Sequence, residues 1–286
     1  MTFQPTITNE LTAELHSAQF GGEIIVVDKE SQIEGVCRDL AAQKIIGFDT
    51  ETRSGAKFSM VLKNTLVWTL YVVILSTILG FILALLLNNE FKGRKVARAI
   101  VVFPWATTLV IQASVWKFII NIDYGSLNTL LKTLGIINAN VNWTPTPEAF
   151  FAWEIACGIF VTIPFVCFTA LSGLQSIDSS FYEAAIVDGA NYWQKLFNIT
   201  IPLVKPSLTV ATVLNIIYVF NSFPIVWTIT KGDPANRTDT LVTYLYKLAF
   251  YNGKQGEAAA VSVIGFMILL VCASIYMVST LKKGDE

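Results

Sequence analysis

Long apolar runs separated by short polar links occupy the chain from about residue 58 onward. A membrane-spanning α-helix needs about 20 predominantly apolar residues to cross about 30 Å of hydrocarbon. Five runs approach or exceed that length: Leu66–Leu87, Ala99–Ile120, Phe150–Leu171, Leu208–Ile229 and Ala258–Thr280. The pattern predicts an all-α polytopic membrane protein with about five transmembrane helices.

The three inner runs contain prolines and polar side chains. Lipid cannot satisfy such groups, so these helices are expected to pack against one another or to line a polar cavity. The residues concerned are Pro104, Gln112, Lys117, Glu154, Pro164, Asn215, Asn221 and Pro224. Glu154 lies near the outer end of its run, and we predict an interfacial carboxylate there rather than a proton carrier.

The first 57 residues differ in composition from the rest of the chain. They hold nine acidic and five basic residues, whereas residues 58–286 hold twelve acidic and fifteen basic ones. Their pattern predicts strands at Glu23–Val27 and Lys44–Phe48 around a helix at Ser31–Gln43. The chain is therefore divided into a small, truncated α/β-like segment (1–57) and a membrane domain (58–286).

Positive charge in short links indicates the orientation of the spans. The link between the first two runs holds Lys92, Arg94, Lys95 and Arg98, and the C-terminus holds Lys282 and Lys283. Both are predicted to be cytoplasmic, together with residues 172–207. Residues 121–149 and 230–257 are then outside, and this scheme also places residues 1–57 outside.

Composition excludes several classes of chemistry. Only 14% of the 286 residues are charged, against about 25% in soluble domains, and the net charge of −1 argues against a nucleic-acid partner. The single histidine and the absence of a CxxC pair argue against a metal site. No GxxxxGK[ST] motif occurs, so the chain has no phosphate-binding loop of that type.

The predicted cytoplasmic link contains an amphipathic pair of short helices. Ser179 or Ser180 is expected to cap the first helix, and Gly189 allows a turn between the two. Trp193, Leu196 and Phe197 follow at helical spacing, and Pro202 and Pro206 are expected to end the unit. On these grounds alone, a surface helix lying in the lipid headgroups is an equally good interpretation.

The same link carries a longer motif. Glu183-Ala184-Ala185 is followed by Gly189, Ile199, Ile201 and Pro202. This spacing resembles the EAA signature of permeases of binding-protein-dependent ABC importers, with Ile201 where the family usually has leucine. The resemblance implies a cytoplasmic coupling-helix loop that contacts an ATPase subunit through Glu183, Ala184, Ala185, Asp188, Gly189, Ala190 and Pro202.

Further segments resemble the carbohydrate-type branch of that family, notably Phe103-Pro104-Trp105 and the sequence from Phe223 to Pro234. The resemblance implies a bacterial inner-membrane permease that moves a sugar or related polar solute. It also implies a cytoplasmic ATPase dimer that binds ATP and Mg, a second permease and an external solute-binding protein. This chain itself is expected to hold no cofactor and to have no enzymatic activity.

Polar side chains within the runs are candidates for the substrate path. Asn215, Tyr218 and Ser222 recur on one predicted helical face, with Asn221 beside it. Gln112 and Trp116 lie four residues apart on the second run. Interhelical hydrogen bonds that only hold the bundle together are the alternative interpretation.

Asp49 and Glu51 follow the second predicted strand of the N-terminal segment. This Asp-x-Glu resembles the first motif of ribonuclease D-like 3′–5′ exonucleases, but the later acidic motifs are absent. We expect a relict fragment from a chimeric or misjoined reading frame that stands in place of a first membrane helix. A membrane-tethered metal-dependent exonuclease and a stand-alone secondary transporter are the competing functions.

Overall fold

The computed structural model describes residues 54–281, and all regular structure within this range is helical. The predicted N-terminal strands lie outside it. The α-helices are α1 (Ser54–Asn88), α2 (Arg94–Val102), α3 (Leu109–Ile119), α4 (Ser126–Thr133), α5 (Pro147–Gln175), α6 (Ser179–Val187), α7 (Tyr192–Lys195), α8 (Ile201–Phe220), α9 (Pro224–Ile229), α10 (Leu241–Tyr246) and α11 (Gln255–Leu281). Phe103–Ala106 is a 3₁₀-helix, and Leu196–Thr200 and Lys247–Tyr251 are π-helical.

Four helical stretches among the described residues are long and apolar enough to cross a membrane. They are Phe58–Asn88, Pro147–Gln175, Tyr192–Ile229 and Gln255–Tyr276. A fifth span exists if α2 with its 3₁₀ extension is joined to α3, although these two pieces meet at 97°. The prediction of about five spanning helices is confirmed, with one of them broken.

The break interrupts the run that the sequence predicts as one helix, Ala99–Ile120. Thr107 is extended, and the Thr108 side chain caps the new helix by accepting from the Ile111 N–H. The Gln112 side chain donates hydrogen bonds to the carbonyls of Pro104 and Thr107. A buried amide thus satisfies carbonyls that a continuous helix would have paired internally, which makes the break possible within an apolar run.

The prolines of the cytoplasmic link do not end it, contrary to the prediction. Pro202 lies in the first turn of α8, directly after the π-helical segment Leu196–Thr200, and the helix continues through it. Pro206 lies inside the same helix. The chain is therefore helical from Tyr192, through the π-helical segment, into the third long span.

The core is formed where α1, α5, α8 and α9 meet. Trp68 of α1 is buried, and its indole N–H donates to the carbonyl of Val219 at 2.9 Å. Gly158 of α5 lies under the Trp68 ring, and a Cβ there would come within 2.8 Å of it. Close approach of α1 and α5 thus depends on a glycine beneath a large aromatic side chain.

The prediction of an interfacial carboxylate at Glu154 is wrong, because the side chain of Glu154 is fully buried. Its Oε1 atom accepts a hydrogen bond of 2.6 Å from the Thr230 hydroxyl, which lies 2.9 Å from the Thr238 hydroxyl. Asp239 in the same loop is also buried and forms a 3.0 Å ion pair with Lys247. The loop after α9 therefore covers the start of α5 and removes the carboxylate from solvent.

Candidate functional site

The first helix of the candidate coupling loop, α6, is capped by Asp178 rather than by a serine. The Asp178 carboxylate accepts the backbone N–H of Ser180 at 2.8 Å, so the prediction of Ser179 or Ser180 as the cap is wrong. This hydrogen bond lowers the pKa of Asp178, because it favours the charged form. The cap fixes the point where the chain leaves α5 and enters α6.

The helix ends in a tight turn at Gly189, as predicted. Gly189 has φ +74°, the left-handed conformation that glycine adopts without steric cost. Its N–H donates to the Ile186 carbonyl at 3.0 Å, and the Ala190 N–H donates to the Ala185 carbonyl at 2.8 Å. These two bonds form a Schellman motif, which satisfies the last carbonyls of α6.

A second cap begins α7 two residues after that turn. Asn191 and Gln194 form a capping box, with bonds of 2.7 and 2.9 Å between each side chain and the other's backbone N–H. The Tyr182 hydroxyl lies 3.0 Å from the Thr200 hydroxyl and so connects α6 to the π-helical segment before α8. The loop is therefore a defined helix–turn–helix attached to the start of a span.

The residues assigned to ATPase contact mostly lie on the surface of this loop. Glu183, Ala184, Asp188 and Gly189 are exposed, and Ala190 is half-buried. Ala185 is buried, while Pro202 is exposed at the start of α8.

The loop also presents apolar side chains that no other described residue covers. Val187 is 87% exposed and Ile186 is 61% exposed at the end of α6. Trp193 and Phe197, predicted to share an apolar face, stack with ring centroids 6.1 Å apart and are both exposed. Leu196 is half-buried. Several large exposed apolar side chains within one short loop are typical of an interaction site.

The two substrate-path candidates on α3 serve packing in this structure. Gln112 is buried, and its amide N–H groups hold the break between the 3₁₀-helix and α3. Trp116 packs against Trp153 and Phe160, with ring centroids 5.9 Å apart in each pair.

The four candidates around the end of α8 do not share one environment. Asn215 is buried and donates to the Ser76 hydroxyl of α1 at 2.8 Å, which is an interhelical bond. Tyr218 is 46% exposed, whereas Ser222 is buried just beyond the helix end. Asn221 is exposed and donates to the Ile217 carbonyl at 2.8 Å. The predicted single polar face is therefore divided between buried and exposed positions.

Three buried polar atoms of these candidates have no hydrogen-bond partner among residues 54–281. They are Gln112 Oε1, Asn215 Oδ1 and Ser222 Oγ. A polar atom without a partner costs free energy when it is buried, so a hydroxyl-bearing molecule could pair with these three atoms only in a conformation that exposes them.

Two contacts at these sites were not predicted from the sequence. Ser76 partners Asn215, and Tyr182 partners Thr200. Both pairs join residues from different elements, 139 and 18 positions apart, and no local pattern marks them. Asp178 could have been recognised, since aspartate is a strong N-cap residue directly before a predicted helix start.

Asp49 and Glu51, the exonuclease-like carboxylates, lie outside the described residues. Within residues 54–281, no group of three or more histidine, cysteine, aspartate or glutamate side chains could hold a metal ion.

Comparison with known sequences places the fold in context. Residues 76–281 match the family described as the inner membrane component of binding-protein-dependent transport systems. A probable ABC transporter permease protein of Brucella suis biovar 1 (strain 1330) is 49% identical over 222 residues, which cover 78% of this chain and 77% of the relative. The trehalose/maltose transport system permease protein MalF of Thermococcus litoralis is 40% identical over 207 residues, covering 72% and 68%.

Among solved structures, the chain is similar in fold to a bacterial ABC transporter involved in the import of the acidic polysaccharide alginate. The TM-score is 0.72 with 24% sequence identity, over 88% of this chain and 90% of the other. The family match spans most of the membrane domain, and it includes the EAA-like motif, the last part of the first long helix and the other long apolar helices. The chain therefore belongs to the inner-membrane permeases of binding-protein-dependent ABC importers and is a multi-pass protein of the inner membrane.

Proposed function

We propose that this permease moves a sugar or a related polar solute that an external binding protein delivers, with ATP hydrolysis in a separate subunit. A cytoplasmic ATPase dimer would bind ATP and Mg, and a second permease would complete the pathway. The observation that carries the proposal is the exposed loop closed by Gly189, because its Schellman turn presents Ile186, Val187 and Asp188 together.

The names of three relatives support a sugar or a sugar derivative as the solute. One is named as a trehalose/maltose permease, another as a sulfoquinovosyl glycerol permease of Agrobacterium fabrum, and a third as a diacetylchitobiose permease of Streptomyces coelicolor. In this chain, the unpaired oxygen atoms of Gln112, Asn215 and Ser222 would suit the hydroxyl groups of such molecules in a conformation that exposes these now buried atoms.

The loop is built to transmit motion to the bundle. Tyr182 of α6 contacts Thr200, so a displacement of α6 acts directly on the segment that leads into α8. From Tyr192 to Ile229 the chain forms one apolar stretch of 38 residues. Closure of an ATPase dimer against this loop would therefore shift the whole span and bias the permease between inward- and outward-facing states.

The test is a Gly189→Asp variant, compared with Gly135→Asp. Both glycines have positive φ (74° and 69°), and neither would place a Cβ within 4 Å of another atom. Aspartate tolerates this conformation, so both variants should insert and fold. Only Gly189→Asp adds a charge to the coupling surface.

In cells that express the complete transporter, Gly189→Asp should reduce ATPase copurification and solute uptake at least ~10-fold, which corresponds to about 1.4 kcal/mol of lost interaction. Gly135→Asp should match the unmodified chain in both measurements. Unchanged uptake in Gly189→Asp, at equal membrane abundance, would contradict the coupling assignment.

A further inference from the structure

A polar cavity of about 180 Å³ lies at the root of the coupling loop. It opens where the end of α1 meets α6, α7 and the π-helical segment. Its lining includes Leu85, Asn88, Asn89, Tyr192, Lys195 and Leu196. The volume is several times the ~30 Å³ that a water molecule occupies in the liquid, so a small ligand group can enter.

Six polar residues line this cavity; Tyr182 and Thr200 bond to each other, and Lys195 is the only charged one. Lys195 provides an ammonium group, Asn88 and Asn89 provide amides, and Tyr192 provides a phenol. Among residues 54–281, none of these four side chains has a hydrogen-bond or ion-pair partner, and Lys195 is only partly exposed. An unpaired ammonium in a cavity whose amide and phenol groups can donate favours an anion.

The surroundings of the cavity add positive charge and apolar surface. After Asn89 the chain carries one acid, Glu90, and three bases, Lys92, Arg94 and Lys95; Glu90 and both lysines are exposed. The Arg94 side chain donates to the Leu87 carbonyl at 2.7 Å, so the start of α2 is held against the end of α1. No residue of α2 is buried within the described chain, and its exposed Val96 and Ile100 add apolar surface beside these basic side chains.

The cavity lies where membrane-spanning helices begin and end, which is the level expected for the lipid headgroups. Asn88 ends one membrane span, and Tyr192 begins another. Leu85 and Leu196 give the cavity an apolar wall beside its donors. A ligand that joins an anionic group to an apolar body fits both parts of this lining.

We propose that this cavity binds the phosphate group of an anionic ligand and thereby bridges the end of α1 to the coupling loop. Lys195 is the charged contact, and the amides of Asn88 and Asn89 donate to the phosphate oxygens. The phosphate can belong to the headgroup of an anionic phospholipid or to a soluble phosphate compound, since both present the same oxygens. Occupancy would make the coupling loop sensitive to that ligand, independently of the transported solute.

The experiment measures binding to the purified, delipidated full chain by native mass spectrometry. The probes are dioleoyl phosphatidylglycerol, dioleoyl phosphatidylcholine and glycerol 3-phosphate. The variants are Lys195→Gln and the control Lys132→Gln, since both lysines lie in the last turn of a short helix and only Lys195 lines the cavity. Asn89→Asp, which preserves side-chain shape, adds a repelling charge as a second test.

We expect phosphatidylglycerol to bind at least ~5-fold more tightly than phosphatidylcholine, and Lys195→Gln to weaken it about 5-fold, the contribution of one lysine near an anionic surface. Asn89→Asp should weaken it similarly, and Lys132→Gln should have no effect. Binding of glycerol 3-phosphate with the same variant pattern, without lipid selectivity, would assign the site to a soluble phosphate compound. Equal affinity in Lys195→Gln, or no binding of either phosphate probe, would overturn the proposal.

Discussion

Asn128 organises the link between α3 and α5, and its removal should loosen that link specifically. Its side chain is 2% exposed and makes four hydrogen bonds. The amide N–H groups donate to the carbonyls of Ile122 and Val141 at 3.2 and 3.0 Å. The carbonyl accepts from the Val141 N–H at 3.2 Å and from the Trp143 indole at 2.9 Å.

The expected magnitude follows from these contacts. A net value of about 1 kcal/mol per hydrogen bond gives roughly 4 kcal/mol for Asn128→Ala. Water can reach part of the link and satisfy some of the freed backbone groups, which reduces the expected loss to about 2–3 kcal/mol. Asn142→Ala is the matched control, because Asn142 lies in the same link but is exposed and bonds only to Thr144.

Native-state hydrogen exchange of residues 121–146 measures the effect. A loss of 2–3 kcal/mol in opening free energy corresponds to a ~30- to 150-fold faster exchange, since each 1.4 kcal/mol is tenfold. Asn142→Ala should change exchange less than ~3-fold, and the core of α5 should be unaffected in both variants. Equal exchange rates in Asn128→Ala and Asn142→Ala would refute the assignment of Asn128 as the organising side chain.

Three further predictions concern packing, charge and pH. Gly80→Ala should lower the free energy of thermal unfolding by about 1–3 kcal/mol, because the added Cβ would lie 2.8 Å from Val166. Gly256→Ala is the control and should leave it unchanged, because a Cβ at that position would have no atom within 4 Å. Lys247→Met should destabilise the fold by about 3 kcal/mol in detergent unfolding assays, since it removes the ammonium 3.0 Å from the buried Asp239 carboxylate. The pKa of Asp178 is lowered in the folded chain, so its cap is fully effective above the ordinary aspartate pKa of about 3.9 and is lost as pH falls through the lowered value. Hydrogen exchange of α6, corrected for intrinsic rates, should therefore be unchanged from pH 6 to about pH 4 and accelerate from about pH 4 to about pH 2 in the unmodified chain but not in Asp178→Asn.

The apolar runs predicted most of the membrane architecture, because hydrocarbon restricts a spanning chain to long, internally hydrogen-bonded helices. Composition alone could not predict the break at Thr107, since Pro104 is also compatible with a kinked continuous helix. The break depends on Gln112, whose amide reaches back to two carbonyls across the bend. That contact becomes visible only when both helix pieces are positioned.

The coupling loop was predictable for a different reason. A positive-φ glycine between two short helices leaves a local pattern, and Gly189 adopts that conformation. Glu154 illustrates the opposite case: its position near a run's outer end suggested an interfacial group. Its burial depends on Thr230, 76 residues away, and on the loop that follows. Long-range polar contacts of this kind leave no periodic signal.

ATP-driven accumulation in proteoliposomes tests the central claim most directly. This chain would be reconstituted with the proposed second permease, ATPase and binding protein, and uptake of radiolabelled di- and trisaccharides measured. We predict that accumulation requires ATP on the ATPase side and binding protein on the opposite side, and falls at least ~10-fold in Gly189→Asp. Accumulation driven by an ion gradient, with this chain alone and without ATPase or ATP, would contradict the account.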